Sequence, residues 1–151
     1  MPAIIRINDL VEDLAEKVHN LGSDALMIAL SNVAPSAEAS NPTLSGNGIL
    51  GNVTQISYAN YADDMTVDRR LQGVTSAETG GVYTLDAADI TITATGGALP
   101  TFRYIYLYND TPAGDPLILI IDNEAGLTLA EGESVTLRWH ATGILTLGPD
   151  L

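Results

Sequence analysis

Two histidines, a surplus of carboxylates and one serine just ahead of two glycines are the side chains of this sequence with chemistry to offer. His19 falls near the end of a helical stretch and His140 follows Trp139 at the end of a strand-like run. Neither has a second metal-ligating partner at the short spacing a zinc or iron site uses, so both read as surface or capping histidines. The carboxylates group as Asp63, Asp64 and Asp68, as Asp110 and Asp115 around a Pro/Gly turn, and as Asp122 and Glu124 at another turn. Glycosidic hydrolysis needs two carboxylates facing each other across a sugar cleft, and no spacing here imposes that. A calcium ion takes many oxygen ligands, yet the twelve-residue helix–loop–helix pattern is not present. Solvated turn carboxylates are the expected reading, with an ordered cation as the alternative. Leu44-Ser45-Gly46-Asn47-Gly48 echoes a nucleophile elbow, but it lies in a Pro/Ser-rich loop, not between a strand and a helix. The chain has no cysteine, and no Gly-rich loop ends in Gly-Lys-Ser/Thr. No catalytic, cofactor-binding or metal residues are assigned, and the expectation is a protein that is not an enzyme.

Charge narrows the partners. Six basic residues stand against 19 acidic ones, a formal charge of −13 in 151 residues. Affinity for nucleic acid comes mainly from cations on phosphates, so direct binding to it is not expected. The N-terminal MPAIIRINDL carries only a short apolar run, unlike a secretion signal. No stretch approaches the ~18 uncharged apolar residues that span a bilayer. The expectation is a soluble chain with no membrane partner.

The elements that must position these residues follow from periodicity. Leu10, Leu14, Val18 and Leu21 recur at helical spacing, which predicts a helix over about 7–21, capped by Asn8 or Asp9 and stopped by Gly22. Ala25–Ser31 reads as a buried strand. Residues 32–48, NVAPSAEASNPTLSGNG, read as a long loop or arm, of the kind ordered by a partner. Strands are predicted over 52–57, 66–71, 82–85, 90–94, 102–108, 117–121, 127–129, 134–139 and 144–147, separated by Gly, Asn, Asp and Pro turns. The fold class expected is all-β: one antiparallel β-sandwich domain over 1–151, jelly-roll-like, with one N-terminal helix and a long N-proximal loop.

Along Phe102–Tyr108, strand alternation places Phe102, Tyr104, Tyr106 and Tyr108 on one face and Arg103, Ile105 and Leu107 on the other. A central core strand is favoured. A tyrosine face against a partner is the second reading, and stacking on a sugar the third. The interface candidates are Leu14 and Val18 on the helix stripe, Pro35 and Pro42 on the arm, Tyr104 and Tyr106, and Arg69 and Arg70. The arginines, with Arg103 and Arg138, are too few to neutralise the acids and suit single ion pairs across an interface.

Phe102–Ile118, FRYIYLYNDTPAGDPLI, resembles the aromatic strand, Tyr-Asn-Asp-Thr turn and Asp-Pro-Leu-Ile strand of small tailed-phage virion proteins. Asp24–Asn32, Ile49–Ile56, Asp89–Gly97, Leu127–Leu137 and Thr142–Leu147 resemble their other elements in the same order. The resemblance spans about residues 24–148, while Leu117–Ile121 and 58–71 depart from it. It implies a structural protein of a bacteriophage particle, made in the host cytoplasm and located in the virion. A capsid decoration or cement protein that stabilises the assembled head leads. It would be a homo-oligomer, a trimer in the leading reading, bound to the major capsid protein or another virion protein. A tail-tube, baseplate or fibre component is the alternative, and a surface carbohydrate-binding module the second. No cofactor is implied.

Overall fold

A computed structural model describes residues 2–58 and 69–148. The order is β1 (Ala3–Arg6), α1 (Leu10–Ala15), β2 (Leu26–Ser31), β3 (Thr75–Thr79), β4 (Val82–Asp86), β5 (Ile90–Thr93), β6 (Leu99–Asn109), β7 (Leu117–Leu129), β8 (Ser134–Leu137) and β9 (Leu145–Leu147). Every strand pairing is antiparallel. The chain is all-β and sandwich-like, with one short helix, as its alternating runs predict. A four-stranded sheet, ordered β1-β7-β6-β2, carries the core. A three-stranded sheet, β3-β4-β9, and a ribbon, β5-β8, form the second layer.

The central strands β6 and β7 are apolar on both faces where Tyr104–Tyr108 lies beside Leu117–Ile121. Tyr106, Leu107, Leu117, Ile118 and Ile120 are wholly buried, as expected of strands covered on both sides. The predicted turn at Asn123-Glu124-Ala125-Gly126 is corrected, because β7 runs straight through it. Glu124 takes φ 63° there, and pairing shifts register between Phe102 and Tyr104. Between the Phe102–Leu127 and Tyr104–Asp122 pairs β6 advances two residues and β7 five, so the three extra residues of β7 form a bulge and not a reversal. Phe102 and Ile105, expected on opposite faces of the aromatic strand, line one cavity together. Gly126 sits where a Cβ would lie 2.7 Å from Thr101 Cγ2, so the strands can approach only at glycine.

The helix is much shorter than predicted. Lys17 turns left-handed at φ 65°, and Val18 N–H donates back to the Asp13 carbonyl at 2.8 Å. This is the wrapped C-terminal turn that glycine usually makes. With lysine in that position, the stop was invisible to a search for Gly, and Gly22 is not the terminator. Asp9 caps nothing with its side chain. Its carboxylate instead accepts from Gly46 N–H (2.8 Å) and Gly48 N–H (2.9 Å).

Those bonds correct the arm. Residues 32–48 are irregular, as predicted, but they are fastened to their own chain. Glu38 accepts from Thr54 N–H at 2.7 Å, Asn8 N–H donates to Thr43 O, and Leu117 N–H donates to Gly48 O. Pro35 and Pro42 are buried. The predicted strand 52–57 is a 3₁₀ turn (Leu50–Asn52) followed by extended chain, in which Ile56 N–H donates to Leu30 O at 2.9 Å. Of the predicted strand 66–71, residues 66–68 lie outside the described residues, and Arg70 makes a single bridge to Met27. The strands β1 and β3 were not anticipated.

Candidate functional site

The site emerges from the way the four-stranded sheet ends. Along β1, Ile4 pairs with Ile121, Ile5 with Ile120 and Arg6 with Leu119. Paired residues share a face. Ile5 and Ile120 therefore lie on the side of Tyr106, whose ring is fully buried. Ile4, Ile121 and Ile105 face the other way, toward the second layer, and there the sandwich does not close.

A cavity of about 540 Å³ opens between the sheet and the β8–β9 connection, lined by Ile4, Ile105, Leu119, Ile121, Trp139 and Ile144 among others. Arg138, His140 and Asn123 supply its polar groups. A second hollow of about 760 Å³ shares Ile4, Leu119 and Ile144 with the first and continues past Arg6, Val11 and Leu14 to Leu147. Together they form one groove beside β1. Ile4 is 61% exposed, Val11 59% and Leu147 40%, three of the five large apolar side chains most open to solvent. Scattered exposed apolar residues are ordinary, but a contiguous group along a hollow marks a place of contact.

Charge is inverted in the groove. Among the described residues no carboxylate lines either hollow, while Arg6 lines one and Arg138 the other, in a chain with 19 acids. Trp139, the single tryptophan, is held in place by Nε1–H donating to Ala88 O and by its own N–H donating to Asp89, both at 3.1 Å. His140 is exposed, and its Nδ1 accepts from Thr142 N–H at 3.2 Å.

His19 corrects its expectation: it is buried, not a surface cap. The abrupt end of α1 turns it inward. Asn109 Nδ2 donates to Asp24 Oδ2 at 2.6 Å and stands 3.2 Å from His19 Nδ1. With Nδ1 accepting, the ring proton sits on Nε2, 3.7 Å from Asp13 Oδ2. Burial pushes the His19 pKa down against the pull of Asp24. Burial, then Asp9, Glu12 and Glu16, pushes Asp13 up. Ser76, which lines the same hollow as His19, is hydrogen-bonded to Tyr83. The cluster closes the corner between α1 and β6 and presents no activated nucleophile.

The remaining predicted residues separate. Tyr104 and Tyr106 are core side chains, so they cannot be a tyrosine interface or a sugar platform. Burial also raises the Tyr106 hydroxyl well above its ordinary pKa. Arg69 is buried, its Nε donating to Ile28 O and its Nη2 to Tyr108 Oη, which leaves it nothing to offer across an interface. Pro35 and Pro42 are covered by their own chain, so the arm's interface assignment is likewise corrected. Leu14 and Val18 are half-buried, and Leu14 reaches the groove; Arg70 is exposed. Arg103 forks onto Asp122 at 2.6 and 2.8 Å and holds that carboxyl below its ordinary pKa. Asp115 is raised by burial and by Asp110. Asp63, Asp64 and Asp68 lie outside the described residues. The groove's own residues, Ile4, Arg6, Arg138 and Trp139, were missed as a set. The β-branched run Ala3-Ile4-Ile5 was the available signal for β1.

Compared with family models, curated proteins and solved structures, the chain matches none.

Proposed function

We propose that this chain is a structural subunit of a tailed-phage particle, of the capsid decoration type, and that it attaches to its neighbours through the groove beside β1. The observation that carries a docking role is the open sheet edge joined to a contiguous apolar hollow. A domain that completes its own sandwich buries such a face, and one built to assemble keeps it for a neighbour. The resemblance of Phe102–Ile118 to phage virion proteins supplies the particle. The acidic surface outside the groove keeps free subunits apart until a specific contact overrides the repulsion.

Antibody raised against this chain, used for gold labelling of particles from the phage that encodes it, tests the reading. Label on the head at regular sites is the expected result. Label on the tail alone favours the tube, baseplate or fibre assignment, and unlabelled particles overturn the proposal.

A further inference from the structure

Three properties of the groove constrain what can fill it. Its rim is a strand edge: among the described residues β1 is last in its sheet, so one side of Ala3–Arg6 offers main-chain N–H and C=O groups to a further strand. Its floor is apolar, from Ile4 through Leu119 and Ile144 to Trp139. Its charge is positive at Arg6 and Arg138, neither of which has an ion-pair partner among the described residues.

An occupant must answer all three. A lipid or fatty acid would satisfy the floor and the cations but leave the strand edge unpaired. A second copy joined edge to edge would set Ala3-Ile4-Ile5-Arg6 against itself. That strand brings no carboxylate, and the pairing would add arginine to an arginine rim between two chains of charge −13.

Resting on the docking role given above, we propose that the groove receives an extended segment of a different polypeptide, apolar on one face and flanked by Asp or Glu, which adds to β1 as a further strand. Strand addition draws affinity from main-chain hydrogen bonds and specificity from alternate side chains. Here the alternate apolar side chains lie over Ile4, Ile144 and Trp139. The flanking carboxylates meet Arg6 and Arg138, where charge-assisted bonds to guanidinium are strong. β1 spans four residues; at about 3.3 Å per residue the matching segment is correspondingly short.

The test uses the full chain. A random peptide library is panned on it, and selected peptides are titrated while the emission of Trp139, the single tryptophan, is followed. Peptides alternating apolar residues with Asp or Glu at their flanks are expected, and their binding shifts Trp139 emission to the blue. Ile4→Glu and Arg138→Glu should each weaken binding about tenfold, as does Lys in place of the peptide's acids. Both side chains are exposed, so circular dichroism of the variants should match the parent. No enrichment over the bare support, selected peptides without acidic residues, or equal binding by both variants overturns the proposal. So does self-association of the parent that Ile4→Glu abolishes, which would identify a second copy as the occupant. Peptide selection that succeeds while particles remain unlabelled sinks the phage assignment and leaves this inference standing. Labelled particles with failed selection do the reverse.

Discussion

The two edges of the four-stranded sheet are finished in opposite ways. At β2 all six residues are buried, and the outer side is sealed by irregular chain. Ile28 N–H donates to Arg69 O, Leu71 N–H to Leu26 O and Ile56 N–H to Leu30 O, all within 2.9 Å. At β1 three of four residues are exposed, and among the described residues no strand lies beyond it. An unpaired edge invites pairing with other chains, and proteins normally blunt it. This molecule spends the chain around Ile56 and Arg69–Leu71 on one edge only. That edge is also where the apolar hollow lies, with two arginines that have no ion-pair partner among the described residues, so the asymmetry reads as a division of labour: β2 closes the fold, and β1 is kept for contact. In that contrast β1 is the other edge.

The same substitution at the two edges should separate these roles most widely. Ile28→Ala removes wholly buried methyl groups and should cost about 2–5 kcal/mol. Ile4→Ala should change the stability of the isolated chain by no more than about 0.5 kcal/mol. Urea unfolding followed at Trp139 measures both. Equal losses would mean that β1 is as integral to the core as β2, and the contrast would fail.

A smaller effect probes how the arm is fastened. Asp9→Ala strips the acceptor from Gly46 and Gly48 N–H, at a cost of about 1.5–3 kcal/mol for bonds to a charged group. Gly48→Ala should mimic it, since a Cβ there would lie 2.9 Å from both Asp9 Oδ2 and Ile7 Cγ2. Thermal melts of both variants that match the parent would mean that the arm is held elsewhere.

How much of this the sequence disclosed depends on whether the signal was local. Apolar alternation and turn residues predicted the all-β class, β2, β4, β5 and the aromatic strand, because each signal lies within a few residues of its element. The end of α1 was hidden because Lys17 occupies a backbone conformation that usually announces itself as glycine. The continuity of β7 was hidden because a bulge and a turn use the same Asn, Glu and Gly residues. Tyr104 and Tyr106 were ambiguous between core and interface, since strand periodicity shows which residues share a face but not what covers it. The groove was the least legible. It joins β1, the end of α1 and the residues after β8, segments far apart in the chain, and each alone resembles an ordinary edge or loop.

The smallest effect concerns acid. His19 has a folded pKa below its ordinary 6.5, so the unfolded chain binds the proton more readily. Its contribution to stability is therefore complete above about pH 6.5 and is lost as pH falls from there through the folded value. His19→Gln should flatten that part of the stability profile. Asp13, raised from 3.8, acts in the opposite sense at lower pH, because its burial penalty is relieved as it protonates. Melting temperatures of parent and His19→Gln through the mildly acidic range check this. Parallel profiles would remove His19 from the account.

Amide hydrogen exchange across the chain, free and assembled on its particle, tests the central claim most directly. The account predicts that the β1 amides pointing away from β7 exchange freely in the isolated chain and become protected on assembly, while Leu26–Ser31 are protected in both states. Protection of those outward β1 amides before assembly, or exchange there that assembly leaves unchanged, would contradict it.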